Sequence, residues 1–134
     1  MQPRMLIYSA KFMTRNRYNA NEVDVQLGLR YCHGRSSIYR QILEHYVDQY
    51  GEAPTLASFQ QQSPEDIVRW LHTLKGHSAT IGATAFSLRA RELQQDWHNL
   101  DERELNSRWQ ELSLHMQRIV AEAREYIQLY QAHP

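Results

Sequence analysis

Apolar residues recur along this chain at steps of three and four, separated by polar ones, in four long segments. Over residues 36–50, Ile38, Tyr39, Ile42, Leu43, Tyr46, Val47 and Tyr50 form one stripe, the spacing of an amphipathic helix. Ser36 or Ser37 is placed to cap it and Gly51 to close it. Its tyrosines, apolar with a polar tip, suit a boundary between core and water. Phe86, Ala90, Leu93 and Trp97 mark a second stripe, in a helix expected over about residues 83–98. Leu105, Trp109, Leu112, Met116, Ile119, Ala123, Tyr126 or Ile127, and Tyr130 mark a third. That seam would be roughly 45 Å long at 1.5 Å per residue. It opens on Asp101 with Glu104 three residues later, a capping box.

The fourth segment begins at Ser63-Pro64-Glu65-Asp66. Serine supplies the capping oxygen, proline suits the first helical position, and the two acids favour the positive end of the helix dipole. Ile67, Trp70, Leu71, Leu74 and Ser78 then share one face, which must be the core side. At about 100° per residue, His72 lies roughly 140° from the centre of that stripe. Val68, Lys75, Gly76 and Ala79 occupy the neighbouring sectors. His72 therefore points outward or to a groove edge, and Lys75 is expected to be exposed. Gly82 should break or bend the helix.

Two shorter elements complete the pattern. Residues 22–32 read as a first helix carrying Val23, Leu27 and Tyr31, ended by His33-Gly34, with the glycine suited to a left-handed cap. Residues 55–62 read as a connecting helix anchored by Leu56 and Phe59. Residues 1–21 show no helical period and read as a linker or N-terminal arm, leaving 22–134 as one domain. Four long helices with short links predict an all-α, antiparallel up-down four-helix bundle with short additional helices.

Composition agrees with helix and narrows the partners. The 134 residues hold four prolines and five glycines, few enough for long uninterrupted helices. The net charge is zero. Residues 1–21 carry Arg4, Lys11, Arg15 and Arg17 and no acid, a charge of +4, so the rest of the chain carries −4. An acidic body argues against nucleic acid as partner. Cys32 is the one cysteine; it reads as a small core residue, and its being alone fits a reducing compartment. Met5-Leu6-Ile7-Tyr8 is too short to span a membrane.

The chemistry the chain can hold is limited. Glu-x-x-His pairs and His-x-x-x-His are absent, and His72 and His77, five apart, fall on different helix faces. No metal or cofactor is expected. Neither a phosphate-binding glycine loop nor Gly-x-Ser-x-Gly occurs, so the domain has no complete active site of its own. His72 remains. A neutral imidazole offers one free ring nitrogen as a nucleophile. Lys75, one turn on, is placed to steady an incoming phosphoryl group, and Gly76 removes a side chain beside it. Glycine inside a helix costs about 0.5–1 kcal/mol relative to alanine, and access by a partner or close helix packing would offset that. On these residues alone, His72 is either a nucleophile or an ordinary exposed histidine.

Trp70-Leu71-His72-Thr73-Leu74-Lys75-Gly76, followed by Ile81-Gly82-Ala83, resembles the histidine-containing phosphotransfer (HPt) domain of two-component phosphorelays. The family pattern is His-x-Leu-Lys-Gly, then a glycine or small residue six positions after the first glycine, where Gly82 stands. The segment from Asp24 to Tyr50 looks like the family's first two helices, and Arg91-Glu92-Leu93-Gln94 like a later one. The resemblance covers about residues 22–130. It implies that His72 takes a phosphoryl group from a receiver-domain aspartate and passes it to another. Lys75 would lie near the phosphoryl oxygens, Gly76 would give the receiver access, and Val68 and Ala79 would contribute to docking. Gly82 would be structural. The receiver would supply Mg2+ and the acidic pocket.

Three positions depart from the family pattern: Leu71 stands where alanine is frequent, His77 where a small residue is common, and Gln94 where an acid is typical. None removes the nucleophile. The resemblance further implies a monomeric, cytoplasmic domain, with the C-terminal module of a membrane-anchored hybrid sensor kinase as the leading context. The rival from another class is a non-catalytic adaptor bundle that binds a signalling partner. Thr73 after the histidine, and no proline soon downstream, disfavour a sensor kinase's dimerising helix.

Overall fold

The computed structural model of the chain describes residues 21–52 and 54–131; the expected arm falls almost wholly outside them. The described residues hold six α-helices and no strand. They are α1 (Val25–Tyr31), α2 (Ser36–Tyr50), α3 (Leu56–Gln60), α4 (Pro64–Thr80), α5 (Thr84–Asp96) and α6 (Glu102–Gln131). A single 3-10 turn, Trp97–Asn99, follows α5, so the helix expected to reach residue 98 tightens in its last turn.

Four of these make an antiparallel bundle, and cross-contacts fix the direction of each pair. The Tyr39 hydroxyl meets the Ile81 carbonyl while Tyr50, eleven residues on, meets His77, so α2 runs against α4. Ser87 reaches Lys75 just across the tight turn at 81–83, so α4 runs against α5. Arg89 pairs with Glu111 and Asp96 with Arg108, so α5 runs against α6. Tyr39 packs edge-on to Tyr126, with ring centroids 5.1 Å apart. Tyr50, at the other end of α2, lines a groove with Trp109 and Met116, so α6 runs against α2.

The core is the set of stripes read from sequence. Leu43, Phe59, Leu71, Leu74, Phe86, Ala90 and Ile119 are wholly buried. Phe59 of short α3 stacks on Trp109 and meets Trp70 and Trp97 edge-on, which closes one end of the bundle. The capping box forms: Glu104 N–H donates to Asp101 Oδ1 at 2.8 Å and Asp101 N–H to Glu104 Oε1 at 3.5 Å.

Some expectations are corrected. Tyr39 and Tyr46 do not sit at the water boundary; they are 0% and 1% exposed. Full burial is tolerable because each hydroxyl has a partner, the Ile81 carbonyl at 2.7 Å and Ser78 Oγ at 2.9 Å. Burial pushes both phenols far above the ordinary tyrosine range. Tyr31 is 57% exposed rather than part of the buried face of α1, which is made by Val25 and Gly28; Val23, just before the helix, is buried as well. Ser36 is the first helical residue, and Arg35 sits at the cap without a side-chain bond. Helix α1 ends in a Schellman turn: Gly34 N–H reaches Leu29 O at 2.8 Å and His33 N–H reaches Arg30 O at 3.1 Å. His33 takes positive φ there as well as Gly34. Cys32 is buried, as expected.

Candidate functional site

The site is built on α4, whose start is held by the Ser63 hydroxyl accepting from Asp66 N–H at 3.2 Å. Ile67, Leu71, Leu74 and Ser78 are buried at 3% exposure or less. Four buried positions on one stripe leave the helix no freedom to rotate about its axis. The face opposite is therefore committed to solvent, and His72 is exposed on it. Among the described residues, no hydrogen bond or ion pair holds its imidazole. The ring is open to solvent.

The residues around it have different settings. Gly76 is exposed, and a Cβ built on it meets nothing within 4 Å. Internal packing therefore gives no reason for glycine at this helix-interior position. Val68 and Ala79 are half-buried on the same side of α4. Lys75 is half-buried rather than fully exposed, because α5 packs beside it. Ser87 Oγ donates to the Lys75 carbonyl at 2.8 Å, which pins the two helices together at this level. Thr80 Oγ1 donates to the Gly76 carbonyl at 2.9 Å.

Gly82 serves the interior instead. Its φ is 97°, a region that L side chains rarely adopt. A Cβ there would lie 2.2 Å from the Asp24 carbonyl oxygen. The turn it makes is gripped from two sides: Asp24 N–H donates to Gly82 O at 3.0 Å, and the Tyr39 hydroxyl to Ile81 O. Gly28 of α1 lets this happen, since a Cβ on it would sit 2.3 Å from Tyr39 Cε1 and 2.6 Å from Ile81 O.

The Hpt domain family model matches residues 37–129. The chain belongs to the Hpt-domain family. No curated protein and no solved structure matches it. Hpt domains act in histidine phosphotransfer in phosphorelays, and they interact with the receiver domains of response regulators. The matched segment spans α2 to nearly the end of α6, so α1 precedes it.

Within this Hpt domain, His77 is not a second copy of His72. It turns toward α2, where Nδ1 shares a 2.7 Å hydrogen bond with the Tyr50 hydroxyl. His45 stands edge-on to it, ring centroids 5.8 Å apart. Partial burial, and then His45, hold the His77 pKa below the ordinary imidazole value. Burial pushes the Tyr50 phenol up to about 12. The pair is neutral at pH 7 and joins α2 to α4.

Sequence reasoning stopped at α4 and missed what α5 brings to this Hpt domain. Leu88 is 51% exposed, a large apolar side chain on the outer face of α5, one residue from the Ser87 crosslink. The signal was available: at about 100° per residue, Leu88 lies roughly 160° from Ala90. Gly28 was also missed, because its reason is tertiary. Surface grooves of about 600 and 630 Å³ lie elsewhere, between the end of α2 and α6, and between α3 and the start of α6. Among the described residues there is no cluster of three metal-ligating side chains, and no helix is long and apolar enough to cross a membrane.

Proposed function

We propose that His72 is the phosphoryl-carrying residue of this domain. A free ring nitrogen attacks the phosphorus of a receiver's aspartyl phosphate. The P–N bond forms as the P–O bond to the aspartate breaks, leaving that carboxylate free. Transfer to a second receiver runs the same exchange in reverse. Lys75 offsets charge on the phosphoryl oxygens. Gly76 leaves room for the receiver, and Val68 and Ala79 supply the flanking contact. The magnesium ion and acidic pocket come from the receiver, which is why this chain needs only a nucleophile and a docking face.

The observation that carries the reading is the unpartnered, exposed His72 beside a glycine for which the interior has no use. The context we favour is a monomeric module of a hybrid sensor kinase, on the cytoplasmic side of a membrane-anchored parent. Exposing the domain to a receiver carrying labelled aspartyl phosphate tests the reading. A phosphocarrier takes up acid-labile, base-stable label, whereas an adaptor binds the receiver and stays unlabelled.

A further inference from the structure

We propose that Arg91 of α5 is a second cation of the His72 site, gripping the phosphoryl oxygens once the group is on the imidazole. The proposal rests on the phosphocarrier reading above and adds to it a residue from a different helix.

Its basis is the register of α4 against α5. The Ser87–Lys75 hydrogen bond of 2.8 Å sets one level in both helices. His72 lies three residues back along α4, about 4.5 Å at 1.5 Å per residue. Arg91 lies four residues on along α5, about 6 Å. The helices are antiparallel, so both displacements run in the same direction. The two residues then differ in height by only about 1.5 Å.

Rotation agrees with height. From Ser87, which faces α4, Arg91 is turned roughly 40° further outward. From Lys75, which faces α5, His72 is turned roughly 60° outward. Both side chains therefore lean over the same groove. These two helices make the most extensive pairing in the bundle, and small side chains, Ser78, Ser87 and Ala90, are buried on them. Close-packed helix axes lie about 8–10 Å apart, a gap an arginine spans.

Charge completes the case. Arg69 is paired with Asp66 and Arg89 with Glu111. Arg91 is exposed and has no ion-pair or hydrogen-bond partner among the described residues. A phosphoryl group on His72 brings three oxygens that share about two negative charges, more than Lys75 alone neutralises. A guanidinium offers a two-pronged donor that fits such oxygens. Loss of the phosphoryl group passes through a loose, metaphosphate-like transition state; metaphosphate carries one negative charge where the bound group carries about two, so a cation that grips the oxygens favours the bound state.

Phosphoramidate is a probe that needs no receiver: its phosphoryl group moves to an imidazole nitrogen as its own P–N bond breaks and ammonia leaves. The chain is labelled this way, and the half-life of the label on His72 is followed after the reagent is removed. Arg91→Ala should shorten it about two- to fivefold, Arg91→Glu should shorten it more, and Arg91→Lys should fall between wild type and Arg91→Ala. Arg103→Ala, an exposed cation on α6, controls for net charge. An Arg91→Ala half-life equal to wild type, or an equal shortening by Arg103→Ala, overturns the role of Arg91. A wild-type chain that takes no label on His72 instead fails the phosphocarrier reading itself.

Discussion

Gly76 and Gly82 stand six residues apart, yet an added Cβ meets nothing at the first and would lie 2.2 Å from the Asp24 carbonyl oxygen at the second. One glycine faces out and the other in. The same substitution at the two positions should therefore act with opposite sign on stability.

Gly76→Ala should stabilise the isolated domain by about 0.5–1 kcal/mol, the helix-interior difference between the two residues. It should also slow transfer from a phosphorylated receiver, by roughly tenfold or more, since the methyl group intrudes on the docked partner. Denaturant unfolding and transfer kinetics on the same preparation read both. A variant that is stabilised and transfers at the wild-type rate would remove Gly76 from the docking face.

Gly28→Ala and Gly82→Ala should each destabilise by about 1–3 kcal/mol or more. The first drives a methyl into Tyr39 and Ile81 O; the second adds strain at φ 97° as well. Tyr39→Phe tests the same knot by another route. It strips the Ile81 carbonyl of its 2.7 Å side-chain donor, at a cost of about 1–3 kcal/mol. Tyr46→Phe should cost less, because the Ser78 hydroxyl it releases can turn to its own helix backbone. Equal losses for the two tyrosines would show that the Ile81 bond has no special weight.

Stability should fall as the solution is acidified through the histidine range. His77 has a folded pKa below its unfolded value, through partial burial and the facing His45, with Tyr50 on its other side. The unfolded chain then binds more protons over that window, so stability rises with pH. The contribution of His77 is fully present above about pH 6.5 and is lost as pH falls through the depressed value. Chemical denaturation between pH 5 and 7.5, compared with His77→Gln, measures it. The variant should show a flatter profile, and an unchanged slope would assign the effect to other groups.

Much of this fold was legible because it is local. The Ser63 cap, the capping box at Asp101 and Glu104, and the stripes of the four bundle helices all follow from neighbours within a few residues. The outward face of His72 followed from the same periodicity. What the sequence hid depends on residues far apart in the chain. Tyr39 and Tyr46 read as boundary residues because their hydroxyl partners lie 42 and 32 residues away. Gly28 carries no local signal, because what demands glycine there is Tyr39 and the Ile81 carbonyl, both distant along the chain. His77 could be separated from His72 by face, but its bond to Tyr50 could not be foreseen. The half-burial of Lys75 depends in the same way on where α5 packs.

Lys75→Ala should slow phosphotransfer several-fold, consistent with loss of one cation near the phosphoryl oxygens. It should leave the helical content unchanged, since the tie between α4 and α5 at this level uses the Lys75 backbone carbonyl and not its side chain. Circular dichroism and transfer rates separate the two. Wild-type rates would take the ammonium out of the site.

The most direct measurement of the central claim is transfer from a labelled receiver onto wild type and onto His72→Gln. Exposure of position 72 means the substitution should leave the bundle folded, which circular dichroism verifies. The expected result is acid-labile, base-stable label on wild type and none on His72→Gln. A His72→Gln chain that acquires label at the wild-type rate would contradict the assignment of His72 as the phosphoryl carrier.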